Sequence, residues 1–202
     1  MLDADFFRRW LTAAGDLVDR EADRLTELDS AIGDADHGSN MQRGFAAVAA
    51  ALEKESPGTP GAVLTLAGRQ LISTVGGASG PLYGTLLRRT GKELGDAAEV
   101  TPAQFADALR AGVAAVAQLG GATAGDKTML DALEPAVEAL GEGVDSFAGA
   151  REAAERGALA TVPMQARKGR ASYLGERSIG HQDPGATSSA LIVAALAQAV
   201  PS

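Results

Sequence analysis

Four loops rich in glycine, aspartate or cations punctuate this 202-residue sequence, one after every second helix that its apolar periodicity predicts. Phe6, Phe7, Trp10, Leu11, Leu17, Val18 and Leu25 recur at helical spacing and predict a first helix over residues 4–27. Further helices are expected from about 40 through 52, over 62–74, 82–94, 101–119, 129–140 and 146–160, and from 183 onward. Thr101-Pro102 and Asp183-Pro184 read as helix starts, with a capping side chain followed by proline in the first turn. That makes eight helices. The loops at 28–39, 76–81, 120–128 and 162–182 follow the first, third, fifth and seventh. Short connections favour antiparallel neighbours, so in an up-down arrangement all four loops meet at one end, although the outermost are about 140 residues apart.

Composition narrows the fold class further. Aromatic residues make up only 4% of the chain, and no segment alternates β-branched and polar residues convincingly enough to predict a strand. An all-α single domain over residues 1–202 is expected. The net charge of −8 argues against nucleic acid and anionic membrane as partners. The absence of cysteine excludes disulfides, thiolate nucleophiles and zinc-thiolate sites. The acidic N-terminus carries no signal-like apolar region, and the apolar run at 190–197 is too short to span a bilayer, so a cytoplasmic location is expected.

The first loop concentrates the chemistry. Asp29, Asp34 and Asp36 lie at i, i+5 and i+7, a spacing that does not share one helix face. Three hard oxygen ligands suit Mg²⁺ or Ca²⁺ rather than zinc, although clustered Asp and Gly more often make only a solvated turn. An EF-hand fails on register, because counting from Asp34 puts Ser39 where glycine is needed and Phe45 where the bidentate glutamate belongs. The glycines of 76–80 can bring bare amides against an anion. Gly125-Asp126-Lys127-Thr128 is not a Walker A loop, because Asp126 splits the Gly-Lys pair and a helix rather than a strand precedes it. Arg167, Lys168, Arg170 and Arg177 place four cations in eleven residues of an acidic protein, and arginine suits phosphate. Together these parts describe a Mg²⁺–polyphosphate site. His37 and His181 lack the partners of a nucleophile triad, and no catalytic residue is assigned.

The segments Gly33-Asp34-Ala35-Asp36-His37-Gly38, Gly76-Gly77-Ala78-Ser79-Gly80-Pro81, Gly125-Asp126-Lys127-Thr128-Met129 and the run from Lys168 to Ala186 resemble the L-subunit family of bacterial dihydroxyacetone kinases. The resemblance covers essentially the whole chain. It implies a barrel of eight antiparallel helices with a nucleotide bound by loops at one end. It implies that Asp29, Asp34 and Asp36 hold two Mg²⁺ ions bridging the phosphates of ADP. His37, Gly38, Ser39, Asn40, Ala78 and Ser79 would then lie against the nucleotide, Gly120 and Met129 at the adenine pocket, and Arg170 with Asp183, Pro184 and Gly185 would complete the site. The implied activity uses ADP/ATP as a resident cofactor. A phosphohistidine of an M-type phosphocarrier subunit phosphorylates the ADP, and the ATP formed phosphorylates dihydroxyacetone held on a K subunit; a homodimer is left open. An ATP-exchanging kinase of dihydroxyacetone or a related small sugar, and a non-enzymatic ADP-sensing regulator, are the alternatives.

Overall fold

The computed structural model describes residues 1–141 and 143–200. Among them are nine α-helices: α1 (Ala4–Arg20), α2 (Ala22–Ile32), α3 (His37–Glu55), α4 (Pro60–Thr74), α5 (Ser79–Leu94), α6 (Pro102–Gly120), α7 (Leu130–Ala139), α8 (Ser146–Ala160) and α9 (Pro184–Ala199). The expected first helix is bent rather than continuous. At Glu21 the backbone leaves helical geometry (φ −101°, ψ 6°), yet the amide of Leu25 still bonds to the Glu21 carbonyl at 2.9 Å. Beyond the bend α2 runs against α3, where Gly38 lets the two backbones approach: a β-carbon on Gly38 would lie 2.0 Å from the Ala22 carbonyl oxygen. The helix then continues to Ile32, so Asp29 stands on its last turn and not in the loop.

Other differences from the sequence expectation are local. α3 starts at His37 rather than Asn40, and α4 at Pro60 behind a Thr59 cap. The irregular stretch at 162–182 contains a 3-10 segment, Arg170–Ser178. Two short strands exist where none was expected: Leu2–Asp3 pairs antiparallel with Glu99–Val100. The predicted starts at Thr101 and Asp183 are present, the former as a full capping box with Gln104.

Counting α1 and α2 as one bent stave, neighbouring helices pack in the order α1, α3, α4, α5, α6, α7, α8, α9 and back to α1, a closed ring of eight. Trp10, Phe7, Phe105 and Phe147, all essentially buried, meet edge to face inside it, with centroids 5.2–6.3 Å apart. They come from the early turns of α1, α6 and α8 and so fill the end of the ring where those helices begin. The other end receives the starts of α3, α5, α7 and α9 and all four unusual loops. No described helix is long and apolar enough to cross a membrane.

Glycines set the spacing between α4 and α5. A β-carbon on Gly68 would sit 2.7 Å from the Gly84 carbonyl oxygen, and one on Gly61 would sit 2.2 Å from that of Gly95. Gly61→Ala is expected to cost about 1–3 kcal/mol of stability through overpacking, read as a lower denaturant midpoint; an unchanged midpoint would show that α4 and α5 slide apart freely.

Candidate functional site

Asp29 is 8% exposed, and its Oδ2 accepts from the amides of Asp36 at 2.9 Å and His37 at 3.1 Å. It therefore caps α3 from a neighbouring helix, since Asp36, the residue before α3, makes no side-chain cap of its own. Asp34 and Asp36 are exposed and flank Ala35, which is held at φ 62°, a left-handed conformation uncommon for alanine. Asp34 pairs with the Arg170 guanidinium at 2.9 Å. One carboxylate oxygen from each of Asp29, Asp34 and Asp36 lies within 4.8 Å of the others, and no other such group of acids or histidines forms among the described residues. Hard oxygen donors converging from a helix end and a loop fit Mg²⁺.

Gly33 makes room for this arrangement. A β-carbon there would lie 2.0 Å from Asp29 Oδ1. Gly33→Ala is expected to swing the Asp29 carboxylate away from its partners and to weaken Mg²⁺ binding about 10–100-fold, the range for disturbed outer-shell contacts. Isothermal titration of the variant with Mg²⁺ and ADP checks this, and wild-type affinity would show that the carboxylate has freedom to spare.

The carboxylates border a cavity of about 260 Å³ lined from all four loops. Its walls include Asp29, Asp34, Asp36, His37, Ala78, Ser79, Met129, Arg170, Asp183, Pro184 and Gly185, together with Lys127 and Lys168. α3, α5, α7 and α9 all begin here, where helix dipoles favour anions. A second cavity of about 350 Å³ adjoins it, sharing Ala78, Leu82, Thr128, Met129 and Lys168. Pro81, Val116, Leu119, Gly120, Ala122 and Leu130 make it mostly apolar, the character of a pocket for a flat ring.

Three of the expected contact residues have protein partners of their own. Gly38 is buried between α3 and α2, against the Ala22 carbonyl and the Thr26 hydroxyl. The Ser39 hydroxyl turns back to the Asp36 carbonyl at 3.0 Å. Asn40 is buried and accepts from the Arg43 guanidinium at 2.5 Å. None of the three lines either cavity, although Ser39 is exposed and Asn40 lies beside Gly76 of the cavity wall.

Sequence reasoning also missed the buried polar layer beneath the cavity. Lys127, 1% exposed and left-handed at φ 63°, donates to the carbonyls of Met164 at 3.1 Å, Ser178 at 2.7 Å and His181 at 2.5 Å. It thereby ties the cationic 162–182 loop to the start of α7. Burial holds its ammonium below the ordinary lysine range, against the pull of nearby Asp183. His37 bridges Ser188, at 2.8 Å from Nε2, and Ser79, at 3.3 Å from Nδ1. Burial lowers the His37 pKa, with Asp29 and Asp36 opposing. A lysine flanked by loop residues and one of only two histidines were the available sequence signals, and neither residue type announces a buried hydroxyl or carbonyl partner.

Asp183 caps α9 by accepting from the Ala186 amide at 2.7 Å. Burial pushes its carboxyl up to about 7, with the Ala186 amide and Lys127 lowering it and Asp131 and Asp29 raising it. An unfolded aspartate titrates near 3.9. Between about pH 4 and 7 the folded protein therefore binds the proton that the unfolded chain has lost, and stability from this group falls as pH rises through that window. The nucleotide-free protein is expected to lose melting temperature from about pH 5 to pH 8 more steeply than Asp183→Asn. Parallel curves for the two would contradict a buried, titrating Asp183.

A DAK2 domain matches residues 31–198 of the chain. The PEP-dependent dihydroxyacetone kinase ADP-binding subunit DhaL of Escherichia coli strain K12 is 45% identical over 197 residues, covering 94% of both proteins. The corresponding subunit of PEP-dependent dihydroxyacetone kinase 1 of Listeria innocua is 43% identical over 196 residues, covering 97% of this chain and 96% of that protein. Among solved structures, the dihydroxyacetone kinase of C. freundii in complex with AMP-PNP and Mg²⁺ superimposes with a TM-score of 0.76 at 27% identity, over 96% of this chain and 33% of that one. The match spans all four loops and most of the ring, and the chain belongs to the DAK2-domain family of dihydroxyacetone kinase ADP-binding subunits.

Proposed function

We propose that this protein is the nucleotide-holding subunit of a dihydroxyacetone kinase, a phosphotransferase that works with separate partner subunits. The observation that carries this reading is the meeting of Asp29, Asp34 and Asp36 within 4.8 Å at the mouth of a cavity lined by four loops. The names of the E. coli and L. innocua relatives supply the reaction class.

A nucleotide held here with Mg²⁺ would supply a diphosphate acceptor for the phosphoryl group in transit between the partner subunits. The rest is positioning. Asp29, Asp34 and Asp36 hold a pair of Mg²⁺ ions, with Asp29 preset by its bonds to α3. Arg170 and Lys168 reach the cavity from the 162–182 loop and neutralise charge on the transferred group. Ser79, oriented by His37, and the amides at the start of α5 contact the phosphates. The apolar cavity around Met129 and Gly120 takes the adenine. No side-chain nucleophile is needed, in keeping with a site built from carboxylates, cations and helix N-termini. The partners are a phosphohistidine carrier that charges ADP and a K-type subunit that presents dihydroxyacetone. A reading as an ATP-exchanging kinase subunit stands second, favoured by the likeness to a longer kinase solved with AMP-PNP.

The test mixes the purified protein with candidate carrier and K-type subunits and compares phosphoenolpyruvate with ATP as donor. Formation of dihydroxyacetone phosphate from phosphoenolpyruvate through the carrier is expected. Turnover with ATP alone, unaffected by omitting the carrier, would replace this reading with the second one.

A further inference from the structure

Behind the cavity, one continuous set of hydrogen bonds joins the first turns of α3, α5 and α9. The Tyr83 hydroxyl lies 3.0 Å from the Gly185 carbonyl, 2.6 Å from Ser188 Oγ and 2.8 Å from Ser189 Oγ. Ser188 Oγ also lies 2.8 Å from His37 Nε2 and 3.2 Å from the Gly185 carbonyl. His37 Nδ1 faces the Ser79 hydroxyl. Tyr83, Ser188 and Ser189 are buried, so water cannot substitute for a misdirected proton.

These six contacts share five protons, and proton counting favours the arrangement that leaves only the 3.2 Å contact of Ser188 with the Gly185 carbonyl unmade. A carbonyl only accepts, so the Gly185 oxygen takes the Tyr83 proton. The tyrosine oxygen then accepts from Ser188 and Ser189. With its proton spent on Tyr83, Ser188 can only accept from His37, which places the imidazole proton on Nε2 and leaves Nδ1 bare to accept from Ser79. The opposite tautomer has Ser188 donating to His37. Two oxygens then face each other at 2.6 Å with no proton between them, or the Gly185 carbonyl loses its hydroxyl donors. The Nε2–H arrangement makes five of the six contacts and the opposite tautomer four, a difference of one hydrogen bond worth about 0.5–1.5 kcal/mol.

We propose that Tyr83 and Ser188 are positioning residues that lock His37 as the Nε2–H tautomer, so that its Nδ1 fixes the orientation of Ser79 at the start of α5. The ring of Tyr83 fills space between α5 and α9 while its hydroxyl sets proton direction two residues away. The bearing of this device on ADP binding rests on the function proposed above; the tautomer itself does not.

The chain holds only two histidines, and exposed His181 serves as an internal reference. Nitrogen-15 NMR of the imidazoles in the full-length protein is expected to show His37 as the Nε2–H form. Ser188→Ala and Tyr83→Phe should each convert His37 to a mixture of tautomers and leave His181 unchanged. Ser189→Ala, which removes one donor to Tyr83 without freeing Ser188, should keep the wild-type pattern. ADP affinity in the first two variants should fall about tenfold, the scale of lost outer-shell support. A wild-type His37 in the Nδ1–H form, or an unaltered Nε2–H signal in both Ser188→Ala and Tyr83→Phe, overturns the proposal. An Nε2–H His37 in a protein that binds no ADP would leave the lock standing and remove the nucleotide function instead.

Discussion

Replacing Asp29 with asparagine is expected to abolish Mg²⁺-dependent nucleotide retention while leaving the fold nearly as stable as before. Asp29 has two separable jobs. One oxygen accepts from the amides of Asp36 and His37, and an asparagine carbonyl can do the same; the two residues rank together as helix caps. The charge offered to a cation alongside Asp34 and Asp36 has no substitute in an amide. Losing a direct ligand should exceed the roughly 10–100-fold penalty typical of outer-shell changes. Asp29→Ala removes both functions and adds a capping loss of about 1 kcal/mol, worth about 2–4 °C in melting temperature for a chain of this size. Equal melting temperatures for the two variants would mean that Asp29 does not cap α3, and nucleotide retained by Asp29→Asn would remove it from the metal site.

The second large effect is expected at Gly38. Family resemblance implies a nucleotide contact there, whereas the structure buries it against α2. A β-carbon would meet the Ala22 carbonyl oxygen at 2.0 Å and Thr26 Oγ1 at 2.4 Å, and backbone cannot step aside as a side chain can. Alanine improves the intrinsic helix preference by up to about 1 kcal/mol over glycine. A glycine that served only a ligand would therefore give a more stable apo-protein on substitution. Overpacking at about 1–3 kcal/mol or more reverses that sign, and the melting temperature of nucleotide-free Gly38→Ala should drop by several degrees. Because α3 would be pushed away from α2, the Asp29 carboxylate also loses its amides, and Mg²⁺ affinity should fall with stability. A raised melting temperature would return Gly38 to the open face.

The ring and its polarity were legible because they depend on features the sequence states locally. Helix periodicity, Thr101 with Gln104, and Asp183 before Pro184 each mark an element on their own, and strict alternation then places all four loops at one end. What escaped depends on contacts between distant elements. The residues around Glu21 are ordinary helix formers, and the bend there is matched to Gly38 of another helix. Asp29 reads as a loop residue because its partners are two amides across a helix end. The start of α3 at His37, three residues ahead of the expected one, follows from that remote cap. Lys127 stands in a glycine-rich loop that says nothing locally of its partners, three carbonyls 37, 51 and 54 residues away.

The central claim is that three carboxylates keep a nucleotide resident through Mg²⁺. It is tested most directly by purifying the protein in Mg²⁺-containing buffer, desalting it, and identifying what it carries by absorbance and mass spectrometry, with and without prior treatment with a chelator. A stoichiometric complement of ADP that survives gel filtration in Mg²⁺ and is released by the chelator is expected. A protein that emerges nucleotide-free in Mg²⁺ and fails to take up added ADP would contradict it.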